Sequence, residues 1–419
     1  MWDPYADFTQ IILENGLTLH KAYWPGRPWE RFGFVVHAGA RDDLLGLEGT
    51  AHFVEHVVSR NTRLLSSEIK RQVKSKGGEI DFGATSSLGT VFHCAVPANE
   101  QDIVNILVYY VDLLFHLTLT QQIEEQRQVI FGEHRSRFPT TSGYQISEKE
   151  KRILYGDLWN ARIISALGSL ESLFAIERED LQEFYDRQYV PANISIVCVG
   201  GYPTDKLIQL FQTSGFIQKK RGKRNFLPEI ISSPSVPSRR SFSTSLSSEL
   251  KTKPFCTTAE CTASIVFPGH LKPLLLPVCL IILNHLVFEE VRGRLQRSYS
   301  PGCFLTDYAS HATIVLESGA IDPVFLKEVQ KILLQCCRRL SKEKTLFEQY
   351  RQERRAHLQM SDVSGRKVVR ACLEDLLFQG KIVSLSELIE QISDLTMEDV
   401  RSLKPWFSRE RILQTSIIP

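Results

Sequence analysis

The sequence lacks any apolar run that could cross a membrane. Its longest such run, residues 274–283, is far shorter than the roughly 18 residues that a spanning helix needs, and it contains Pro277. An excess of either charge is also missing, because 50 basic and 48 acidic residues leave a formal net charge of +2. We therefore expect residues 274–283 to be buried core, and we expect neither a membrane nor a nucleic acid as partner.

Targeting and disulfide signals are missing as well. The first seven residues carry two acids, and no basic residue precedes His20, which predicts neither a secretory signal nor an Arg-rich transit peptide. We expect the mature chain to begin here. The nine cysteines are an odd number and include no pair of CxxC motifs. Cysteine used as a small apolar residue favours a reducing compartment, and hence a cytoplasmic location.

The length predicts more than one domain. At 419 residues, with 43% hydrophobic and 23% charged, the chain has an ordinary globular composition but exceeds the size at which one core stops growing, about 250–300 residues. Residues 218–254 change to Lys/Arg clusters, serines and four prolines, which indicates a linker. We predict an N-terminal domain at 1–217 and a C-terminal domain at 255–419.

Both predicted domains alternate strand-like and helix-like segments. In the first, residues 32–37 are β-rich and 51–58 have helical periodicity; after the linker, a strand-like 262–267 precedes a helix from Leu274 and a further strand at 312–316. The order therefore recurs, and two similar α+β halves are expected.

The basic run in the linker has two interpretations. Lys219, Lys220, Arg221, Lys223 and Arg224 could form a nucleic-acid patch, but no aromatic residues are interleaved with them. Runs of this kind are usually solvated, and that interpretation is the preferred one.

The segment that carries chemistry is His52-Phe53-Val54-Glu55-His56. On a helix His52 and His56 lie on one face, one turn apart, and Glu55 lies to the other side of His52. Two imidazoles at this spacing can bind one metal ion while the carboxylate reaches a water on it, which fits a catalytic zinc site. An HxxEH match can also arise by chance on a solvated helix. The apolar neighbours favour the metal, because buried polar side chains need partners.

This block resembles the zinc-binding segment of the pitrilysin family, which includes the mitochondrial processing peptidase, and HxxEH is the inverzincin signature. The family takes its third ligand from a Glu about 75 residues downstream, and here 76 residues separate His56 from Glu133. The resemblance implies one Zn²⁺ per chain, held by His52, His56 and Glu133. It also implies an α+β fold of two similar domains, each a mostly antiparallel sheet packed with helices, that forms half of a clam-shaped peptidase.

Further likenesses to the family lie outside the zinc motif. The segment around Asp81 resembles the edge strand that lines the family's cleft, and Arg292 with Tyr299 resembles the pair that contacts substrate. The sequence departs from the family at Gln126, where a second Glu is usual, and Gly83 looks like an insertion. A neutral amide can still hydrogen-bond a ligand but supplies no charge, so metal affinity or rate could be altered.

The function implied is zinc-dependent hydrolysis of short or unfolded peptides in an enclosed chamber, with Glu55 as general base. The alternative is a non-catalytic family subunit that acts as a binding or assembly partner. The chain carries both the zinc motif and the Arg292/Tyr299 pair but only about two domains, where long family members have four. We therefore expect a homodimer, or a heterodimer with a related chain.

Overall fold

The secondary structure is that of a mixed α and β protein. The computed structural model describes residues 3–5, 7–60, 66–81, 83–119, 122–138, 141–156, 158–232, 234, 236–245, 258–360 and 364–418. The strands are β1 (Thr9–Ile12), β2 (Thr18–Tyr23), β3 (Trp29–Val36), β4 (Glu79–Ile80), β5 (Ala84–Thr85), β6 (Thr90–Pro97), β7 (Ile194–Gly200), β8 (Ser241–Ser245), β9 (Glu260–Pro268), β10 (Gly302–Asp307), β11 (His311–Glu317) and β12 (Ile412–Ile418). The helices are α1 (Thr50–Arg60), α2 (Ser66–Ser75), α3 (Glu100–Phe115), α4 (Gln122–Arg137), α5 (Thr141–Tyr155), α6 (Leu170–Ala175), α7 (Arg178–Gln188), α8 (Thr204–Thr213), α9 (Leu275–Val287), α10 (Leu326–Leu340), α11 (Lys344–Met360), α12 (Gly365–Phe378), α13 (Leu385–Ser393) and α14 (Met397–Ser402).

The first compact unit contains Met1–Pro139, Ile163–Leu227 and Asp362–Leu385. Its sheet has the strand order β1-β2-β7-β3-β6-β4, with β5 also paired to β6. Strands β2 and β7 are parallel, and the other neighbours are antiparallel. Helices α1 and α3 bury apolar residues in the core of this unit.

Helix α12 packs against β3 and β7 of this sheet. Gly33 makes the close approach possible, because a Cβ there would lie 2.5 Å from Cγ1 of Val369 and 2.7 Å from Cδ1 of Leu373. Only glycine leaves room for the two side chains at that distance. A helix from late in the chain thus completes the first unit.

The second compact unit contains Thr140–Arg162, Pro228–Ser361 and Ser386–Pro419. Its sheet has the order β10-β11-β9-β12-β8, antiparallel except for the parallel pair β12 and β8. Helices α9 and α10 contribute to its main core. A smaller buried cluster joins α5 to the strands through Tyr155, Tyr308 and Leu413.

The predicted α+β class is confirmed, with two mostly antiparallel sheets packed with helices. Local periodicity predicted α1, α9, β3, β9 and β11 to within a few residues. Residues 274–283 lie almost wholly in α9, and no helix of the described ranges is both long and apolar enough to cross a membrane. Cys256 lies outside the described residues, and the other eight cysteines are free thiols.

The segment expected to be a linker, residues 218–254, is divided between the two units. Residues 219–227 belong to the first, and β8 pairs with β12 in the second. Residues 246–254 lie outside the described part of the chain. These contacts join positions far apart in sequence, which a local composition count does not detect. The division into domains at 1–217 and 255–419 stays a prediction.

Candidate metal centre

Helix α1 begins at a turn that is held by a buried carboxylate. Asp43 accepts hydrogen bonds from the backbone N–H groups of Gly49 and Ala51, both at 2.8 Å, and so satisfies two donors at the start of the helix. Gly49 has φ of +105°, and a Cβ there would lie 2.6 Å from the carbonyl oxygen of Leu167. Both features fix where the helix starts and which of its residues face inward.

The two histidines of the motif lie together on this helix. The rings of His52 and His56 are 4.6 Å apart between centroids, at an interplanar angle of 68°. Glu133 approaches both from α4: its Oε2 lies 3.5 Å from Nε2 of His52, and its Oε1 lies 3.6 Å from Nε2 of His56. The donor atoms of the three side chains all lie within 4.8 Å of one another.

These distances fit a zinc ion. In a tetrahedral site with bonds of about 2.0–2.1 Å, neighbouring ligand atoms are about 3.3–3.4 Å apart, close to the two separations between histidine nitrogen and Glu133 oxygen. Burial, with the charge of His56, lowers the pKa of His52 to about 3, and burial also lowers the pKa of His56. Both imidazoles are therefore neutral at pH 7, the form that binds metal. Glu133 is 46% exposed, so the group opens to solvent on its side.

Glu55 lies beside this group without belonging to it. Its Oε2 is 3.9 Å from Nε2 of His52 and accepts a hydrogen bond from the hydroxyl of Thr85 at 3.2 Å. Burial raises the pKa of Glu55 to about 7; the bond from Thr85 acts against that rise, and the charge of Glu133 adds to it. A carboxyl group with a pKa near neutrality can both accept and release a proton at pH 7.

Gln126 touches the other side of the metal group. It is buried on α4, and its Oε1 lies 3.4 Å from Nδ1 of His56. An amide oxygen can only accept, so the proton of a neutral His56 sits on Nδ1 and Nε2 keeps its lone pair for a metal. The HxxEH motif alone does not predict this contact, because it joins residues 70 positions apart, but the resemblance to the family pointed to Gln126 as an amide that can bond a ligand.

Sequence reasoning missed the contact of Thr85 and the closeness of Gly83 to Glu55. A Cβ at Gly83 would lie 2.6 Å from both Cγ and Oε1 of Glu55, so glycine lets the chain pass directly beside this carboxylate. From the sequence, Gly83 is notable only as an apparent insertion relative to the family's edge strand. A threonine two residues after a glycine carries no signal of its own until the strand is paired.

Asp81 lies on the same edge of the sheet, but its side chain is engaged elsewhere. Its carboxylate accepts a hydrogen bond from Arg366 of α12 at 3.2 Å, and its backbone N–H donates to the carbonyl of His93 at 3.0 Å. The structure therefore places Asp81 at the end of β4 and pairs it with α12. Its predicted contact with substrate stays a prediction.

Arg292 and Tyr299 belong to the second unit, whereas the metal group belongs to the first. Arg292 lies in a π-helical turn, Phe288–Arg294, that follows α9. Its Nη1 donates to the carbonyl of Tyr299 at 2.7 Å, and its guanidinium lies 4.4 Å from the centroid of the Tyr299 ring. Tyr299 as a whole is 80% exposed. The two residues thus form one exposed pair.

Two family profiles match the chain. Residues 27–135 match the one described as Insulinase (Peptidase family M16), and residues 175–354 match the one described as Peptidase M16 inactive domain. The first interval contains the three candidate ligands and Glu55; the second contains Arg292 and Tyr299.

Curated relatives with similar sequences also carry peptidase names. The mitochondrial-processing peptidase subunit beta of Saccharomyces cerevisiae is 27% identical over 202 residues, which are 48% of this chain and 42% of that protein. An uncharacterized zinc protease of Mycobacterium bovis is 25% identical over 234 residues, 54% of this chain and 51% of the relative. The match spans about half the length of these two curated relatives.

Solved structures share the fold. A protease from Helicobacter pylori superposes with a TM-score of 0.80 at 17% identity and covers 100% of both chains. The periplasmic protease PqqL from Escherichia coli gives a TM-score of 0.77 at 13% identity, covering 99% of this chain and 48% of the other. At these identities the comparison establishes the fold alone.

Proposed function

This chain belongs to the peptidase M16 family, and from the geometry of its metal centre we propose that it is a zinc-dependent endopeptidase. The observation that carries the proposal is the approach of Glu133 to both histidines, at 3.5 and 3.6 Å, beside a buried carboxyl group that is not one of the three. An ion pair alone would not explain the arrangement, because both imidazoles are neutral at pH 7. A metal ion gives all three donors a common partner.

His52, His56 and Glu133 would hold the ion. Zinc bound there supplies a Lewis acid that lowers the pKa of water from about 15.7 toward 7. Glu55 accepts the proton of the attacking water as the new bond to the scissile carbonyl carbon forms. It then passes that proton to the amine nitrogen as the peptide bond breaks. Its position against Thr85 and Gly83 supports this role, because the carboxyl group is fixed beside the ligands.

The substrates proposed are short or unfolded peptides in an enclosed chamber. The interrupted edge formed by β4 and β5 lies next to β6, and an extended peptide could add to such an edge by backbone pairing. Arg292 and Tyr299 are proposed to contact the substrate. A compact folded protein cleaved as fast as a peptide of about 20–30 residues would contradict an enclosed chamber with edge pairing.

The second candidate is a family subunit without catalysis, which serves as a binding or assembly partner. Three observations favour it: the match of residues 175–354 to an inactive-domain profile, the neutral Gln126, and a relative named as a subunit. The enzyme remains the better proposal, because the three candidate ligands and Glu55 are all present. A cytoplasmic location remains a proposal that rests on cysteine usage in the sequence.

Two variants separate the candidates. Purified protein, loaded with zinc and dialysed, should contain one zinc per chain and cleave unstructured peptides; His56→Ala should lose both properties. Glu55→Gln should retain zinc and lose hydrolysis, because the base is removed and the ligands are not. Zinc without peptide cleavage in the wild type would favour the non-catalytic subunit, and no zinc in either wild type or His56→Ala would refute the metal site.

A further inference from the structure

A threonine of the sheet edge makes contact with the carboxyl group of Glu55. Thr85 is the last residue of β5, which pairs with β6 through Ala84–Val91 and Thr85–Thr90. Its hydroxyl lies 3.2 Å from Oε2 of Glu55 and 3.2 Å from the hydroxyl of Thr90. Thr90 in turn donates to the carbonyl oxygen of Ala38 at 3.1 Å. A row of hydroxyl groups therefore runs from Glu55 into the sheet.

The hydroxyl of Thr85 is held from both sides. It donates to Oε2 of Glu55, while the hydroxyl of Thr90, 3.2 Å away, donates to the carbonyl oxygen of Ala38. Because Thr90 is anchored to the sheet in this way, it limits where the hydroxyl of Thr85 can lie.

The backbone around Thr85 leaves Glu55 little freedom. A Cβ on Gly83 would lie 2.6 Å from Cγ and Oε1 of Glu55, while Thr85 donates to Oε2. Helix α1 contacts β5 along this stretch. The same edge, from β4 to β5, is the one proposed to pair with an extended substrate. A peptide paired with this edge would lie beside β5, the strand that carries Thr85.

We propose that Thr85 is a positioning residue for Glu55, which joins the substrate-pairing edge to the general base through one hydroxyl group. This inference rests on the proposed function. The hydrogen bond by which Thr85 holds the carboxyl group of Glu55 in place does not depend on peptidase activity, so it can be tested without an activity assay. The variants are Thr85→Val, which has the same shape without the hydroxyl, and Thr85→Ser, which keeps the hydroxyl.

The first measurement is a set of crystal structures of the metal-free protein. In Thr85→Val the carboxyl group of Glu55 should shift by about 1 Å or more, a displacement large enough to matter for catalysis, and in Thr85→Ser it should stay in place. The matched control is Thr9→Val, on the exposed strand β1 at the opposite edge of the same sheet. An unmoved carboxyl group in Thr85→Val, or an equal shift in Thr85→Ser, would overturn the proposal.

The second measurement is kinetic, on protein with equal zinc content. Thr85→Val should lower kcat about 10-fold or more with KM within about twofold, because orientation of the base and not peptide binding is lost. Thr85→Ser should recover most of that loss, and Thr9→Val should match the wild type. Wild-type kcat in Thr85→Val, or loss of zinc from it, would refute the positioning role. If zinc-loaded wild type cleaves no peptide, the proposed function fails, and the crystal structures still decide whether Thr85 positions Glu55.

Discussion

Gln126 is the residue at which the metal centre departs from the pitrilysin pattern. The amide fixes the Nδ1 proton of His56 as a carboxylate would, but it adds no negative charge near the metal. Replacing a hydrogen-bond partner of a metal ligand typically lowers metal affinity by about 10–100-fold. If the candidate site binds zinc, Gln126 is therefore the side chain whose replacement should change its affinity.

We predict that Gln126→Ala weakens zinc binding by about 10–100-fold, because His56 loses the acceptor that orients it. Gln126→Glu should bind zinc more tightly than the wild type, since it keeps the acceptor and adds negative charge. Competition with a chelator of known affinity measures both. The control is Gln128→Ala, two residues further along α4, where the side-chain amide donates to Glu124 at 3.2 Å on the exposed side. Equal affinities in all four proteins would contradict the role of Gln126.

His37 is a second residue whose environment has a measurable consequence. It is buried, and its Nε2 accepts hydrogen bonds from Ser195 at 2.9 Å and from Arg224 at 3.2 Å. Burial, followed by the charges of Arg224 and Arg41, lowers its pKa to about 3. A histidine that is neutral in the fold and protonated when unfolded stabilises the fold above its unfolded pKa, about 6.5. That stability is lost as the pH falls toward 3.

We predict that the free energy of unfolding falls between pH 6.5 and 3, with His37 contributing about 2 kcal/mol of the loss by pH 5. In His37→Gln the dependence on pH should be smaller by that amount, whatever the substitution does to stability at pH 7. Urea unfolding at several pH values measures it. His357→Gln replaces an exposed histidine on α11 and serves as the control. If the free energy of unfolding of His37→Gln changed with pH as steeply as that of the wild type, His37 would not contribute to acid unfolding.

At the scale of elements, residues 221–227 form a docked segment, which is hydrogen-bonded to other parts of the first unit. The carbonyl of Arg221 accepts from Ala192 N–H at 2.9 Å, and that of Phe226 accepts from Arg41 at 2.6 Å. Asn225 donates from its side chain to the carbonyl of His37 at 2.9 Å and to Oε1 of Gln188 at 2.7 Å. The docked segment therefore bonds to the loop between β3 and α1, to the end of α7 and to the turn before β7.

We predict that Asn225→Ala lowers the free energy of unfolding by about 1–3 kcal/mol, because buried acceptors lose their donor. Trypsin should also cleave faster within the docked segment, whose basic residues become accessible. Denaturant unfolding and timed proteolysis test the two expectations. Asn105→Ala, at an exposed site on α3, provides the comparison. Identical unfolding and cleavage in the two variants would mean that the docking bonds contribute nothing.

The elements that the sequence predicted well are those whose signal is local. Helix α1 and strand β7 follow from periodicity and from the Gly residues beside them. Strand β8 and the placement of α12 did not follow, because each depends on a partner far away in the chain: β8 on β12, and α12 on the face of β3 that Gly33 opens. The same limit applies to the site. The motif points to His52 and His56, and the resemblance to Glu133, but Thr85 is joined to Glu55 only by folding.

At the scale of the whole molecule, the chain carries two groups of candidate site residues in separate units. The candidate metal ligands are in the first unit and the Arg292/Tyr299 pair is in the second. We propose that this chain pairs with a second copy of itself or with a related chain, so that Arg292 of one subunit serves the metal centre of the other.

Mixing two inactive variants tests this arrangement. Glu55→Gln and Arg292→Ala, each expected to be inactive alone, should restore up to about a quarter of wild-type activity after subunit exchange. Half of the dimers are then mixed, and one of the two sites in each mixed dimer is intact. Arg294→Ala, which removes a neighbouring guanidinium bonded to Glu290, should remain active alone.

Light scattering on a sizing column must give twice 47.8 kDa, the mass of one chain. Proven exchange with no recovered activity would place Arg292 in the same chain as its metal centre or outside catalysis, and a monomer would leave a related second chain as the partner to seek.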